Sequence, residues 1–111
     1  MRYRPTAEWP FAARMTTVLV IDRDAETRLV AQRVLERAGF AVSTAGGDGY
    51  LPRGVFDLVV ADLAEVSLGY LQRRYPQVRV LSLASEGGAD LSKPFTPSQL
   101  LSAVRLCLAR R

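Results

Sequence analysis

Two aspartates each close an unbroken apolar run. Val18-Leu19-Val20-Ile21 ends at Asp22, and Leu58-Val59-Val60-Ala61 ends at Asp62. All but one of the 15 basic residues are arginine; the exception, Lys93, stands in a Lys-Pro-Phe segment ahead of the last apolar pattern. Carboxylates that converge can hold a hard cation through oxygen. The chain contains no histidine, which removes Ser-His and Cys-His nucleophile pairs and every imidazole metal site. Any metal must then be held by oxygens, which points to magnesium or a similar cation. Singly, these residues say little. An aspartate after a strand is commonly a helix cap, which is the reading adopted for Asp24, and Lys-Pro-Phe alone is a common turn.

Their value depends on the elements that position them. Val18–Ile21 is continuously apolar and β-branched, the pattern of a strand buried on both faces. A helix capped by Asp24 follows, with Leu29, Val30, Val34, Leu35 and Ala38 at helical spacing, and Gly39 ends it. Residues 40–44 read as a second strand. Residues 45–55 are glycine-rich and leave room for one helical turn around Tyr50 and Leu51. Residues 56–61 are the third strand. Next comes a helix over about 65–75, with Leu68, Leu71 and Tyr75 inward. Residues 78–83 form the fourth strand, 84–90 are too short and too rich in glycine for a helix, and Leu91-Ser92 is a brief fifth strand. Thr96, Pro97 and Gln99 open the last helix as cap, first-turn proline and capping-box partner, and Leu100, Val104, Cys107 and Leu108 form its stripe. Strands alternating with helices require right-handed crossovers and a parallel sheet covered on both faces. Ligands of such sheets bind beyond the carboxyl ends of the strands. That rule gathers Asp22, Asp62, Ala84 and Lys93 into one place.

The length of 111 residues allows one domain. Residues 1–14 hold two prolines and no periodicity and read as a tail, in which Trp9, Pro10 and Phe11 could dock; 15–111 is the domain. Arg2, Arg4 and Arg14 against Glu8 place half of the net charge of +4 in that tail. The remainder is too small to demand a nucleic-acid partner. No apolar run is long enough for a membrane span, and no apolar stretch with a cleavage site follows the basic start, so a cytoplasmic location is expected. Cys107 has no second cysteine to pair with and reads as a buried free thiol.

With these segments in hand, the chain resembles the receiver domain of two-component response regulators. The matching stretches are Val18–Asp22, Leu35-Glu36-Arg37-Ala38-Gly39-Phe40, Phe56–Asp62, Gly88-Ala89-Asp90 and Lys93-Pro94-Phe95, and together they cover nearly all of 15–111. The resemblance implies a flavodoxin-like, five-stranded parallel sheet with helices on both faces, here with helix 4 missing and helix 2 shortened. It implies phosphoryl transfer from a histidine kinase to Asp62. Asp22, Asp62 and the carbonyl of Ala64 would hold Mg²⁺, Lys93 would pair with the phosphoryl oxygens, and Ala84 would line the phosphate site. A cation and a fixed ammonium suit the spread negative charge of the transferred group. The family's Lys-Pro bond is often cis.

Departures from the family pattern are equally informative. The acid that usually follows the first aspartate is Arg23, which replaces −1 by +1 beside the metal site. Each unit charge near 4 Å is worth roughly 4 kcal/mol at an effective dielectric of about 20, so Mg²⁺ is expected to be held weakly or not at all. Asp24 is a substitute acid only if it leaves its cap. The guanidinium of Arg23 has two open readings: turned to Asp62 and Asp22 in place of a metal, or turned to solvent. The hydroxyl residue that ends the fourth strand in the family is Ala84, and its aromatic switch partner is Asp90. Without those groups no bistable element is legible. The expected function is therefore an atypical receiver in phosphorelay signalling, an interaction module with a histidine kinase or another signalling protein as partner. Dimerisation is one way to cover the side left by helix 4. A fully functional phospho-acceptor is the alternative. A third reading takes Asp22-Arg23-Asp24 as the Asp-x-Asp loop of a haloacid-dehalogenase phosphatase, but Glu26 stands where its Thr belongs and Thr27 comes one place late. No enzymatic activity is expected, and no DNA-reading helix pair follows the last helix.

Overall fold

The computed structural model describes residues 15–46, 50–85 and 87–110. The expected tail over 1–14 lies outside them. The elements run β1 (Thr17–Ile21), α1 (Ala25–Arg37), β2 (Ala41–Ala45), β3 (Leu58–Asp62), α2 (Leu68–Arg74), β4 (Arg79–Ala84), β5 (Leu91–Ser92) and α3 (Pro97–Ala109). The five strands form one parallel sheet in the order β2-β1-β3-β4-β5. This is the flavodoxin-like order, with its switch point between β1 and β3.

β1 and β3 are adjacent interior strands, and both are buried on both faces as their unbroken apolar runs require. Alternation divides their side chains between two cores. Val18, Val20, Leu58 and Val60 face Ala31 and Leu35 of α1 and Leu100, Val104 and Cys107 of α3. Leu19, Ile21, Val59 and Ala61 face Leu71 of α2, Tyr75, Ala45 and Leu51. The second core has thin cover, because α2 spans only 7 residues. Its C-terminal end supplies what a longer helix would. Tyr75 donates its hydroxyl to the carbonyl of Pro52 at 2.6 Å and meets Phe56 edge-on at 5.3 Å, while Arg74 donates to the carbonyls of Leu51 and Pro52. The irregular 50–56 segment is thereby laid over the sheet.

Several expected elements differ in detail. Tyr50 and Leu51 form no helical turn; Leu51 is buried in irregular backbone and Tyr50 is exposed. The second helix is shorter than 65–75, because Ser67 caps it by accepting from the Tyr70 amide. Leu68 follows directly on that cap and is exposed rather than inward. On α1, Leu29 and Val30 face outward and Ala31 takes the buried place. The small Ala31 lets the helix sit close to β1, so one alanine outweighs two larger side chains in setting the face. The capping box at Thr96 and Gln99 and the buried free Cys107 are as the sequence suggests, and burial raises the thiol's pKa. Among the described residues no helix lies between β4 and β5.

Candidate functional site

The parallel strands deliver their carboxyl ends to one rim. Asp22 follows the last residue of β1, Asp62 is the last of β3, Ala84 the last of β4, and Lys93 follows β5 directly. The amide of Lys93 donates to the carbonyl of Ala84 at 2.8 Å, which fixes where the lysine leaves the sheet. The Lys93–Pro94 peptide is cis. From there the side chain reaches back across the rim, and Nζ donates to Asp22 Oδ2 and to Asp62 Oδ2, each at 2.8 Å. Asp22 is fully buried and Asp62 nearly so.

The remaining carboxylate oxygens are also engaged. Asp22 Oδ1 accepts from the amide of Asp24 at 2.9 Å, and Asp62 Oδ1 from the amide of Ala64 at 2.9 Å. Arg28 donates to the backbone carbonyl of Asp22 at 2.6 Å. Two buried like charges would otherwise repel strongly, and the ammonium between them removes that cost. Burial alone would raise the Asp62 pKa. The hydrogen bonds from Lys93 and Ala64 and the nearby positive charge of Lys93 and Arg23 outweigh it, and the carboxyl titrates below its usual range. For Lys93, burial pushes the ammonium down, but both aspartates hold it above its usual value. The result is an ammonium set between two carboxyl groups on the rim of the sheet, with Asp62 and Lys93 both charged at neutral pH.

The structure resolves both readings of Arg23. Its guanidinium does not clasp the two aspartates. The Arg23 amide donates to Glu65 Oε1 at 2.7 Å, and its Nε lies 3.5 Å from Glu65 Oε2 on a largely exposed side chain. Lys93, rather than Arg23, occupies the place between the carboxylates. Asp24 keeps its cap: it accepts from the amide and hydroxyl of Thr27, and those bonds lower its pKa. It is not turned into the pocket as a replacement acid. Ala84 brings no hydroxyl to the rim but anchors Lys93 through its carbonyl. Asp90 turns to β4 and bonds Ser82.

The sequence reading gave Glu65 no role. The signal was present, since a cation placed beside two acids calls for an acid within reach, and Glu65 lies three positions after Asp62. Among the described residues no group of three or more His, Cys, Asp or Glu is placed to hold a metal ion, and no helix is long and apolar enough to cross a membrane.

No family model matches the sequence, and no curated protein matches it. Solved structures do. A response regulator from Thermotoga maritima is 27% identical, with a TM-score of 0.71, over 87% of this chain and 100% of that one. The chemotaxis response regulator CheY4 of Vibrio cholerae is 25% identical, with a TM-score of 0.69, over 85% of this chain and 99% of that one. A response regulator from Burkholderia pseudomallei, solved with a phosphorylated aspartic acid, calcium and citrate, is 25% identical, with a TM-score of 0.64, over 85% of this chain and 69% of that one. Receiver domains of this kind are signalling modules rather than enzymes. The chain has the CheY-like fold of a response-regulator receiver domain, the fold of two-component signalling.

Proposed function

We propose that this chain is an atypical receiver domain, an interaction module in two-component signalling whose pocket is held together by Lys93 instead of by a metal ion. The double contact of Lys93 with Asp22 and Asp62 carries this reading. In it, Asp62 stands at the phosphoryl-acceptor place, Asp22 beside it, and Lys93 constantly supplies the positive charge that a divalent cation would supply on demand. The partner is a histidine kinase or another signalling protein, and a second copy of the chain is a further candidate on the side where helix 4 is missing.

Magnesium fits the donor set poorly. A hexacoordinate hard cation needs several free oxygens. Each of the four carboxylate oxygens of Asp22 and Asp62 already accepts a proton-bearing nitrogen. The third acid is replaced by Arg23. In this reading Asp22, Asp62 and the carbonyl of Ala64 are a weak cation site or none. The substitutions at Ala84 and Asp90 leave the phosphoryl group, if it arrives, without the hydroxyl and aromatic pair that would relay it.

A functional phospho-acceptor is the second reading. It is supported by the ionised state of Asp62 and by the phosphorylated aspartic acid of the Burkholderia relative. The test separating the two is incubation with acetyl phosphate and Mg²⁺, followed by intact mass measurement. The carboxylate would attack phosphorus and release acetate. The atypical reading expects no added phosphoryl group. A phosphorylated species that disappears in Asp62→Asn establishes the acceptor instead. The phosphatase reading has little support, since Asp22 is fully buried under Lys93 and Asp24 is committed to its cap.

A further inference from the structure

Arg23 follows Asp22 directly, and Glu65 stands three residues after Asp62, so the contact between them joins the two loops that carry the pocket carboxylates. The two loops are otherwise internally tied. The amide of Glu65 donates to the carbonyl of Asp62 at 2.9 Å, and that of Asp24 to Asp22 Oδ1. Glu65 thus sits in a tight turn rigidly continuous with Asp62, and Arg23 in a turn rigidly continuous with Asp22. The Glu65 side chain is only 9% exposed, and a nearly buried carboxylate is costly unless it is paired. Its firmest partner is the backbone amide of Arg23, which no side-chain substitution removes. The exposed guanidinium adds a weaker, salt-screened contribution.

We propose that Glu65 and Arg23 form a strap that sets how open the pocket is, so that Lys93 stays clasped between Asp22 and Asp62 only while the strap is fastened. Glu65 is then a positioning residue. It fixes the separation of the two loops, and that separation decides whether one ammonium can reach both Oδ2 atoms. Releasing the strap lets the loops part, frees Lys93 and uncovers Asp62. The inference rests on the geometry of the clasp and holds whether or not Asp62 accepts a phosphoryl group.

The sequence supplies a clean reporter, since Lys93 is the only lysine. Acylation by an N-hydroxysuccinimide ester, read at Lys93 by peptide mapping, measures how often the clasp opens. Glu65→Ala is expected to speed labelling about tenfold, the factor by which losing one charge-assisted hydrogen bond shifts an opening equilibrium. Glu65→Gln keeps an acceptor for the Arg23 amide, and Arg23→Ala keeps the amide itself, so both should label at intermediate rates; these two variants carry the test if Glu65→Ala does not fold. Thr17→Ala is the control. It removes hydroxyl bonds to Asp57 and Val55 at the opposite end of the sheet and should lower the melting temperature without exposing Lys93. Unchanged labelling in the Glu65 variants overturns the proposal. So does an equal increase in Thr17→Ala, which would mean that Lys93 is exposed by general loosening.

Discussion

Lys93 and Asp22 stand 71 positions apart in the chain, yet Nζ lies 2.8 Å from Oδ2 of an aspartate that is fully buried. Asp62, on the neighbouring strand, shares the same ammonium. Removing that charge strands two adjacent carboxylates. Lys93→Met is therefore expected to destabilise the fold by about 3 kcal/mol, the lower end for breaking a buried pair because part of the site is reached by solvent. Adding Asp22→Asn should recover much of the loss, since the remaining carboxylate no longer faces a like charge. Urea denaturation of the two variants and the parent measures both values. A Lys93→Met protein as stable as the parent would show that the clasp contributes nothing.

Asp62 and Lys93 also shape the pH dependence. Asp62 titrates below its unfolded value of 3.8, so its contribution is complete above that value and is lost as pH falls through the lower folded pKa. Lys93 titrates above its unfolded value of 10.5, so its contribution is complete below that value and is lost as pH rises through the higher folded pKa. Unfolding free energy measured across pH should show a plateau between these limits with a decline at each end. Asp62→Asn should flatten the acid limb. Lys93→Met should remove the alkaline limb and reverse the acid one, because the two carboxyl groups left facing each other are relieved by protonation and the variant gains stability as pH falls.

The parallel sheet and the convergence of Asp22, Asp62 and Lys93 were legible because strand ends and apolar runs are local signals and the binding rule for parallel sheets supplies the rest. What stayed hidden was set by contacts between distant loops. Glu65 looks like any surface acid until Arg23 is placed opposite it. Leu29, Val30 and Leu68 fit an inward stripe by spacing alone, but close packing of Ala31 on one helix and the position of Leu68 just after the Ser67 cap on another turn them outward. Tyr75 was legible as inward, whereas its bond to the Pro52 carbonyl was not, because nothing in the glycine-rich stretch marks which carbonyl would need a partner.

Charge at position 23 is expected to decide cation binding. The parent protein is expected to show no rise in melting temperature with added Mg²⁺. Arg23→Asp removes the cation beside the pocket, supplies the missing acid and, by repelling Glu65, opens the strap. This variant should gain a melting temperature that climbs with Mg²⁺ concentration, as linkage requires when a ligand binds only the folded state. Calcium should act similarly and sodium at equal ionic strength should not. A parent protein already stabilised by millimolar Mg²⁺ would restore the conventional metal site.

Asp90, at the position where the family pattern expects an aromatic side chain, forms a clamp on β4. Its Oδ2 accepts from the amide of Ser82 at 3.0 Å and from the hydroxyl at 3.1 Å, and its own amide donates to Ser82 Oγ at 3.0 Å. β5 pairs only with Leu83 and Ala84, so the Asp90 side chain takes over the edge of β4 one residue earlier. In a receiver with a full switch this is where movement would be needed; here the loop is tied to the strand it leaves. Asp90→Ala should cost about 1–2 kcal/mol, the net of a carboxylate's hydrogen bonds at an exposed site. The sharper measurement is amide hydrogen exchange. The Ser82 amide should be protected in the parent and exchange much faster in Asp90→Ala, while Val60 and Leu19 on the interior strands keep their protection. Equal protection of Ser82 in both proteins would mean that the strand edge is closed by something other than this carboxylate.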